Sequence, residues 1–411
     1  MTINADFSTR QAKLSAAKRE LLAKRLRGKT VTKHNQNSIS PQSRDTNQFP
    51  VSFSQQRLWF LDQLEPGSNA YNLSAGTVRF KGELNVAALE KTLNALVSRH
   101  EALRTTFRSV HGEPVQVINS HKPYSLPVIN LQHLPEAERE QEAQRLATEE
   151  AQRPFDLAQG PLMRTTLLKL DETDHVFLIT THHIISDGWS IGIFVRELAA
   201  LYQAFITDQP SPLPDLPIQY ADFSCWQREW LQGEVLESQL AYWRKQLEGD
   251  LPVLELPTDR PRPATQTFRG TKQYFNLPKD LSDSLVALSR EENATLFMTL
   301  LAAFKVLLYR HTGQTDLIVG SPIAGRSRAE VEEVIGFFVN NLTLRTDLSG
   351  DPSFRELLSR IREIAMDGYA HQDLGFEKLV EELQPVRNLS HSPLFQVMFR
   401  ICRHNRSISQ A

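Results

Sequence analysis

The sequence is poor in cysteine, with only Cys225 and Cys402 among 411 residues. Two thiols are too few for a disulfide framework or a cysteine-based zinc site, which points to a reducing compartment. Neither stands in a nucleophile motif, and both read as ordinary partly buried thiols. A strong charge of one sign is also lacking. The formal net charge is −2, so neither a nucleic acid nor an anionic membrane has electrostatic support as a partner of the whole chain. Long hydrophobic runs are missing as well. The most apolar helical stretch, 294–308, is broken by Thr295, Thr299 and Lys305, too short and too polar to span a bilayer. The first thirty residues are polar and basic without an apolar stretch, unlike a secretory signal. These absences together predict a soluble, cytoplasmic protein.

What is present is ordinary globular composition, 40% apolar and 23% charged, in a chain long enough to predict two lobes. Residues 1–47 differ from the rest, with ten Lys or Arg against Asp6, Glu20 and Asp45. Leu14, Leu21, Leu22 and Leu26 recur there at helical spacing, which fits one short amphipathic helix before a polar linker, either a docking helix for a partner protein or, the favoured reading, a solvated leader. From residue 48 the texture is globular. Residues 77–80 alternate like a strand, Asn85 caps a helix carrying Leu89, Leu93, Leu96 and Val97, and residues 176–179 are a compact apolar run that predicts a buried strand. Pro210, Pro212, Pro214 and Pro217 crowd one segment and set the expected boundary between a lobe of 48–217 and a lobe of 218–411. A second proline cluster at 252–263 predicts an extended crossing segment. Residues 281–309 read as mostly helical, and 316–319 as a buried strand. Strands and helices mixed throughout predict an α/β (α+β) class.

The buried strand at 176–179 runs into His182 and His183, followed by three spacers, Asp187 and Gly188. These four fixed residues should occur by chance in about one chain per thousand. A histidine is the side chain best suited to move a proton near neutrality. An aspartate four residues on can order the loop by pairing with a cation, and the glycine permits a tight turn. The alternatives at this point are a histidine pair satisfied in a core, or a metal site, which needs a third ligand at a supporting spacing that the motif does not supply.

Six other segments accompany the motif in order: SFSQQRLWFL at 52–61, RHEALRTTF at 99–107, YADFSCW at 220–226, IGFFVNN at 335–341 running on to Arg345, HQDLGFE at 371–377, and the looser VRNLSHSPL at 386–394. With HHIISDGWS at 182–190 between the second and third of these, the chain from about residue 50 resembles the condensation domains of nonribosomal peptide synthetases. The resemblance implies two chloramphenicol acetyltransferase-like lobes in a V-shaped pseudodimer. It also implies formation of an amide bond between a donor thioester and the α-amine of an acceptor thioester. Both substrates would ride on the phosphopantetheine of partner carrier proteins, upstream and downstream, beside an adenylation domain. No covalently bound cofactor and no metal are implied.

The same resemblance makes His183 the catalytic residue and His182 a packing residue. It makes Asp187 and Arg99 an ion pair supporting the loop, and the N–H near Gly188 an oxyanion donor; Trp226 and Asn340 become site-shaping positions. The form of the first motif implies an L-configured donor joined to an L-configured acceptor, and it argues against an epimerisation domain. A heterocyclising relative would carry aspartates in place of the histidine pair, and a free acyl-CoA transferase would carry a DFGWG-like segment; neither is present. A non-catalytic module that recruits carrier proteins or tailoring enzymes remains the rival from another class. The family also continues for roughly fifty residues past the strand-like 395–399, so the second lobe is expected to be truncated, with an uncovered sheet edge prone to association.

Overall fold

A computed structural model of the chain describes residues 38–264, 270–384 and 390–402, and these fall into two units. The histidine unit holds 38–232 together with 324–339, and the second unit holds the described residues of 233–323 and 340–402. The division therefore falls after residue 232, not at 217/218. The proline-rich stretch 209–219 is an extended connection within the histidine unit, because the helix after it buries Tyr220 and Phe223 in that unit's core. The polar stretch before residue 48 is likewise more than a linker in its described part. Ile39 is buried, and Arg44 bridges Asp222 at 2.7 Å and Glu101 at 2.9 Å. The expected helix at 14–26 lies outside the described residues.

Two sheets organise the histidine unit. β1 (Gln48–Pro50), β3 (Thr105–Val110) and β4 (Glu113–Ile118) form one, in the order β1-β4-β3. β2 (Asn72–Lys81), β5 (Val128–Asn130), β6 (Met163–Asp171) and β7 (Asp174–His182) form the other, in the order β2-β7-β6-β5. β7 lies inside this sheet, antiparallel to both neighbours, and both its faces are covered. Val176 and Leu178 pack with Ala143 of the helix α3 (Glu136–Gln152). Phe177 and Ile179 share a core with Leu89 and Leu93 of α2 (Val86–Arg99) and with Ile193 and Phe194 of α4 (Gly188–Ile206). A strand apolar on both faces reads as a continuous run rather than an alternation, as residues 176–179 do. α1 (Phe53–Leu64) and α5 (Tyr220–Trp230) complete the unit's longer helices. As expected, Asn85 caps α2, accepting the Ala88 N–H at 3.0 Å.

The second unit contains α6 (Gly233–Gln246), α7 (Lys279–Glu291), α8 (Leu296–Thr312), α9 (Phe354–Ala370) and α10 (Phe376–Leu383). Its strands β8 (Asp316–Ile323) and β9 (Asn340–Asp347) pair antiparallel along their whole length. The helical stretch expected at 281–309 is two helices, because Thr295 accepts the Met298 N–H at 3.2 Å and starts α8 afresh. Gly313, left-handed at φ +71°, ends α8, a conformation that favours glycine at this position. Residues 252–263 carry no helix or strand, as their prolines predict. Among the described residues no single helix is long and apolar enough to cross a membrane.

Candidate active site

The histidine loop is built from the end of β7 outward. His182 closes the strand, and its Nδ1 accepts the Ile184 N–H at 3.1 Å, capping the 3-10 turn His183–Ile185. An accepting Nδ1 puts the ring proton on Nε2. The ring is buried beside Tyr71 and Phe155, and burial, helped by the neighbouring His183, pushes its imidazole down to about 3. His182 is therefore a neutral cap at physiological pH.

His183 is held differently. Its backbone N–H donates to the Tyr71 carbonyl at 2.9 Å. Its Nδ1 lies 3.0 Å from the Ser186 carbonyl oxygen; a carbonyl only accepts, so Nδ1 carries the proton and Nε2 keeps its lone pair. No hydrogen bond among the described residues engages Nε2. Burial holds the imidazole below the ordinary histidine range, against the upward pull of the Ser186 carbonyl and of Asp187. The Phe337 ring stands 5.4 Å away, centroid to centroid. A neutral imidazole, locked in one tautomer with Nε2 unengaged, is a proton acceptor ready at neutral pH.

Asp187 begins α4 as its N-cap, Oδ1 accepting the Ser190 N–H at 2.7 Å. Oδ2 accepts the Phe338 N–H at 3.0 Å, and the Arg326 guanidinium lies 3.3 Å from Oδ1. The side chains of Asp187 and Arg326 are 0% and 1% exposed. The partner of Asp187 is thus Arg326, and the expected pairing with Arg99 is corrected. Arg99 and His100 both bond to the buried Glu197, at 3.2 and 2.7 Å. Glu197 lies ten residues along α4 from Asp187, about 15 Å at 1.5 Å per residue, so the end of α2 meets this helix at a separate point.

Residues 324–339 form a strap over the loop. Arg326 also donates to the carbonyls of Val331 and Val334 and to Ser190 Oγ. Ser190 Oγ donates to the Gly336 carbonyl at 2.9 Å and accepts the Gly336 N–H at 3.1 Å. Trp189 Nε1 donates to the Glu332 carbonyl. Gly336 lies so close to Tyr220 that a Cβ would stand 1.9 Å from the Tyr220 ring. Trp226 belongs here too. It stacks on Trp230 at 5.0 Å, with the Arg328 guanidinium 4.1 Å above it, and so anchors the strap.

Asn340 lies in the second unit, where its amide is spent on backbone. Nδ2 donates to the carbonyls of Gln372 and Leu374, and Oδ1 accepts the Phe376 N–H. That describes a loop clamp rather than the site-shaping side chain expected. Gly188, the first residue of α4, is exposed, and the N–H groups of a helix's first turn lack intrahelical partners. Sequence reasoning missed Arg326, Ser190, Tyr220 and Phe337. The signal available was the buried aspartate itself, which requires a cation, but nothing local singles out Arg326.

A neutral histidine with an oriented, unengaged Nε2 on a strand–turn–helix is the arrangement of a general base. Residues 45–408 match the condensation-domain model, and the chain belongs to that family. It is 59% identical over 359 residues to one of the proteins that make up the linear gramicidin synthase of Brevibacillus parabrevis, covering 87% of this chain and 7% of that protein. It is 44% identical over 394 residues to the phosphinothricin tripeptide synthetase PhsC of Streptomyces viridochromogenes, covering 96% of this chain and 36% of that protein. The chain thus spans a minor part of the length of these relatives. Among solved structures, the X-domain from teicoplanin biosynthesis superposes with a TM-score of 0.79 at 31% identity, over 88% of this chain and 79% of that one. The first condensation domain of the calcium-dependent antibiotic synthetase does so at 0.70 and 22% identity, over 88% and 82%, which speaks for the fold. The chain is thus a condensation domain of the nonribosomal peptide synthetase type.

Proposed function

We propose that His183 is the reacting group in condensation of an L-configured donor thioester with the α-amine of an L-configured acceptor. Each substrate is presented on the phosphopantetheine arm of a peptidyl carrier protein, one upstream and one downstream, beside an adjacent adenylation domain. The acceptor nitrogen attacks the thioester carbonyl, the C–N bond forms and the C–S bond breaks. The amine's proton passes to Nε2 of His183 and on to the departing carrier thiolate. An α-amine with a pKa of about 8 has a substantial neutral fraction, about a fifth, at physiological pH, so His183 serves as much to orient the amine as to deprotonate it. The N–H of Gly188, at the positive end of α4, receives the developing oxyanion. His182 and Asp187 hold the loop, and the cysteine-poor composition supports work in the cytoplasm.

The observation that carries this reading is the tautomer lock of His183 on the Ser186 carbonyl, which leaves Nε2 unengaged. Single-turnover dipeptide formation with two loaded carriers tests it. His183→Ala should lower the rate by about 10²–10⁴-fold while carrier binding persists, and an L-aminoacyl donor should outrun its D-enantiomer. A near-parental rate in His183→Ala overturns the reading. A recruiting module would bind its partners and form no product in the unsubstituted chain.

A further inference from the structure

The start of α1 carries a buried capping box that reaches beyond its own helix. Ser52 Oγ accepts the Gln55 N–H at 3.1 Å, and Gln55 Oε1 accepts the Ser52 N–H at 3.0 Å, the reciprocal pair that closes a helix N-terminus. Capping leaves two groups over, the Ser52 hydroxyl proton and the Gln55 amide Nε2. Both are used. Gln55 Nε2 donates to the Ile184 carbonyl at 3.1 Å, in the turn that carries His183. Ser52 Oγ lies 2.8 Å from the Tyr220 hydroxyl, and that hydroxyl donates to the Phe337 carbonyl at 2.6 Å. A phenol has one proton, so Ser52 is the donor to Tyr220, and the chain runs in one direction from Ser52 through Tyr220 to Phe337. Ser52, Gln55 and Tyr220 are each no more than 2% exposed. Helix capping needs neither outward arm. One arm ends on the residue whose ring faces the His183 imidazole, the other on the residue after His183.

We propose that Ser52, Gln55 and Tyr220 are positioning residues for the condensation reaction, a buried relay that sets the His183 imidazole and the Phe337 ring against each other. This rests on the reading of His183 as the reacting group. The charged and titratable groups acting on that imidazole are His182 from β7 and Asp187 from the start of α4, and Asp187 in turn acts with Arg326 from the strap and Tyr220 from α5. Asp187 and Arg326 offset one another, His182 is neutral, and burial drives the Tyr220 phenol upward, away from ionisation. On this proposal the apolar Phe337 ring, 5.4 Å from the imidazole, helps to keep water from it. Loosening its tether exposes His183 and eases its protonation.

The test uses the full chain with both carriers loaded, in single turnover across pH 5.5 to 8.5, and an NMR titration of the His183 ring on the carrier-free protein. In Tyr220→Phe the limiting rate should fall by about tenfold or more with little change in acceptor half-saturation. The acid limb of the rate profile and the ring titration should both move to higher pH. Gln55→Glu, which keeps the Ser52 arm of the box but turns a donor toward Ile184 into an acceptor, and Ser52→Ala should move both readouts in the same direction by less. Ser52→Thr, which keeps the hydroxyl, should restore them. If these variants fold with parental melting behaviour and leave the acid limb and the ring titration in place, the relay is structural only and the proposal is overturned, even if rates fall. A near-parental rate in His183→Ala overturns the reading of His183 instead, while the ring titration still judges the relay.

Discussion

Each unit fully buries a side chain that ionises in water, and the two are handled in opposite ways. In the histidine unit Asp187 is 0% exposed and has a full countercharge, Arg326, besides two backbone N–H donors. In the second unit Lys305 is also 0% exposed, but its amine meets only neutral groups: the Leu317 and Leu344 carbonyls at 3.2 and 2.7 Å and the Thr346 hydroxyl at 2.8 Å. The nearest acid acting on it, Asp316, is itself bound by Arg345 at 2.7 Å. Burial therefore pushes the Lys305 amine down to about 7. As a neutral amine it still donates to both carbonyls while the Thr346 hydroxyl turns to donate to it. Each residue ties distant stretches of chain together, Asp187 the histidine loop to the strap and Lys305 α8 to both strands of its sheet. A paired charge makes a fixed clasp, and an unpaired base makes one whose strength follows pH.

The widest break in this comparison comes from removing a partner. Arg326→Met leaves Asp187 buried without its cation, which typically costs about 3–5 kcal/mol. Urea unfolding should show that loss, and condensation should fall with it. Arg99→Met should destabilise the α2–α4 contact through Glu197 yet leave the histidine loop in place, so its limiting rate should stay near the parental value. Equal losses of rate in both variants would return Arg99 to the loop.

Glycines sharpen the contrast at a smaller scale. Gly336→Ala drives a Cβ to 1.9 Å from the Tyr220 ring, and overpacking of this kind costs about 1–3 kcal/mol. It should also slow condensation, because Tyr220 holds the Phe337 carbonyl. Gly368, inside α9 of the second unit, would bring a Cβ to 3.4 Å from Leu344, a contact that a small shift relieves. Gly368→Ala should be neutral or stabilise by about 0.5–1 kcal/mol through backbone entropy. A Gly336→Ala protein as stable and active as the parent would show that the strap can move without consequence.

The local setting of the site was legible in the sequence because it depends on near neighbours. An apolar run, two histidines and a helical periodicity are the strand, turn and helix around His183. The pairing of buried charges was not, since it is decided by tertiary placement. Asp187 finds its cation 139 residues downstream, while Arg99, which the family resemblance offered, goes to Glu197. That acid was the overlooked signal. It sits in α4 next to Leu198 and one turn from Ile193 and Phe194, and a carboxylate on an apolar face must find a donor. Asn340 misled for a related reason: a polar residue inside a motif invites a functional reading, but its amide is consumed by backbone groups. The lobe boundary was misplaced because prolines report an extended backbone rather than the unit a segment packs into, and Tyr220 and Phe223 bury just beyond them.

The finest distinction lies in pH. His182 and Lys305 are both bases with folded pKa values below their unfolded ones, to about 3 against 6.5 and to about 7 against 10.5. For such a group the folded state binds fewer protons between the two values, so stability rises with pH across that window. The His182 contribution is full above pH 6.5 and is lost as pH falls toward 3. The Lys305 contribution is full only above 10.5 and is lost on the way down to 7. The histidine unit should therefore lose stability as pH falls from 6.5 toward 3, and the second unit should gain stability as pH rises from 7 toward 10.5. Each slope is at most about 1.4 kcal/mol per pH unit. Tryptophan fluorescence separates them, because Trp243 is the second unit's tryptophan while Trp59, Trp189, Trp226 and Trp230 lie in the histidine unit. His182→Asn keeps an acceptor for the Ile184 N–H and removes the titration, so it should flatten the acid slope alone. Lys305→Met should flatten the slope between pH 7.5 and 9.5 seen by Trp243. If that variant keeps the parental slope, the amine is not the titrating group, and the contrast between the two clasps fails.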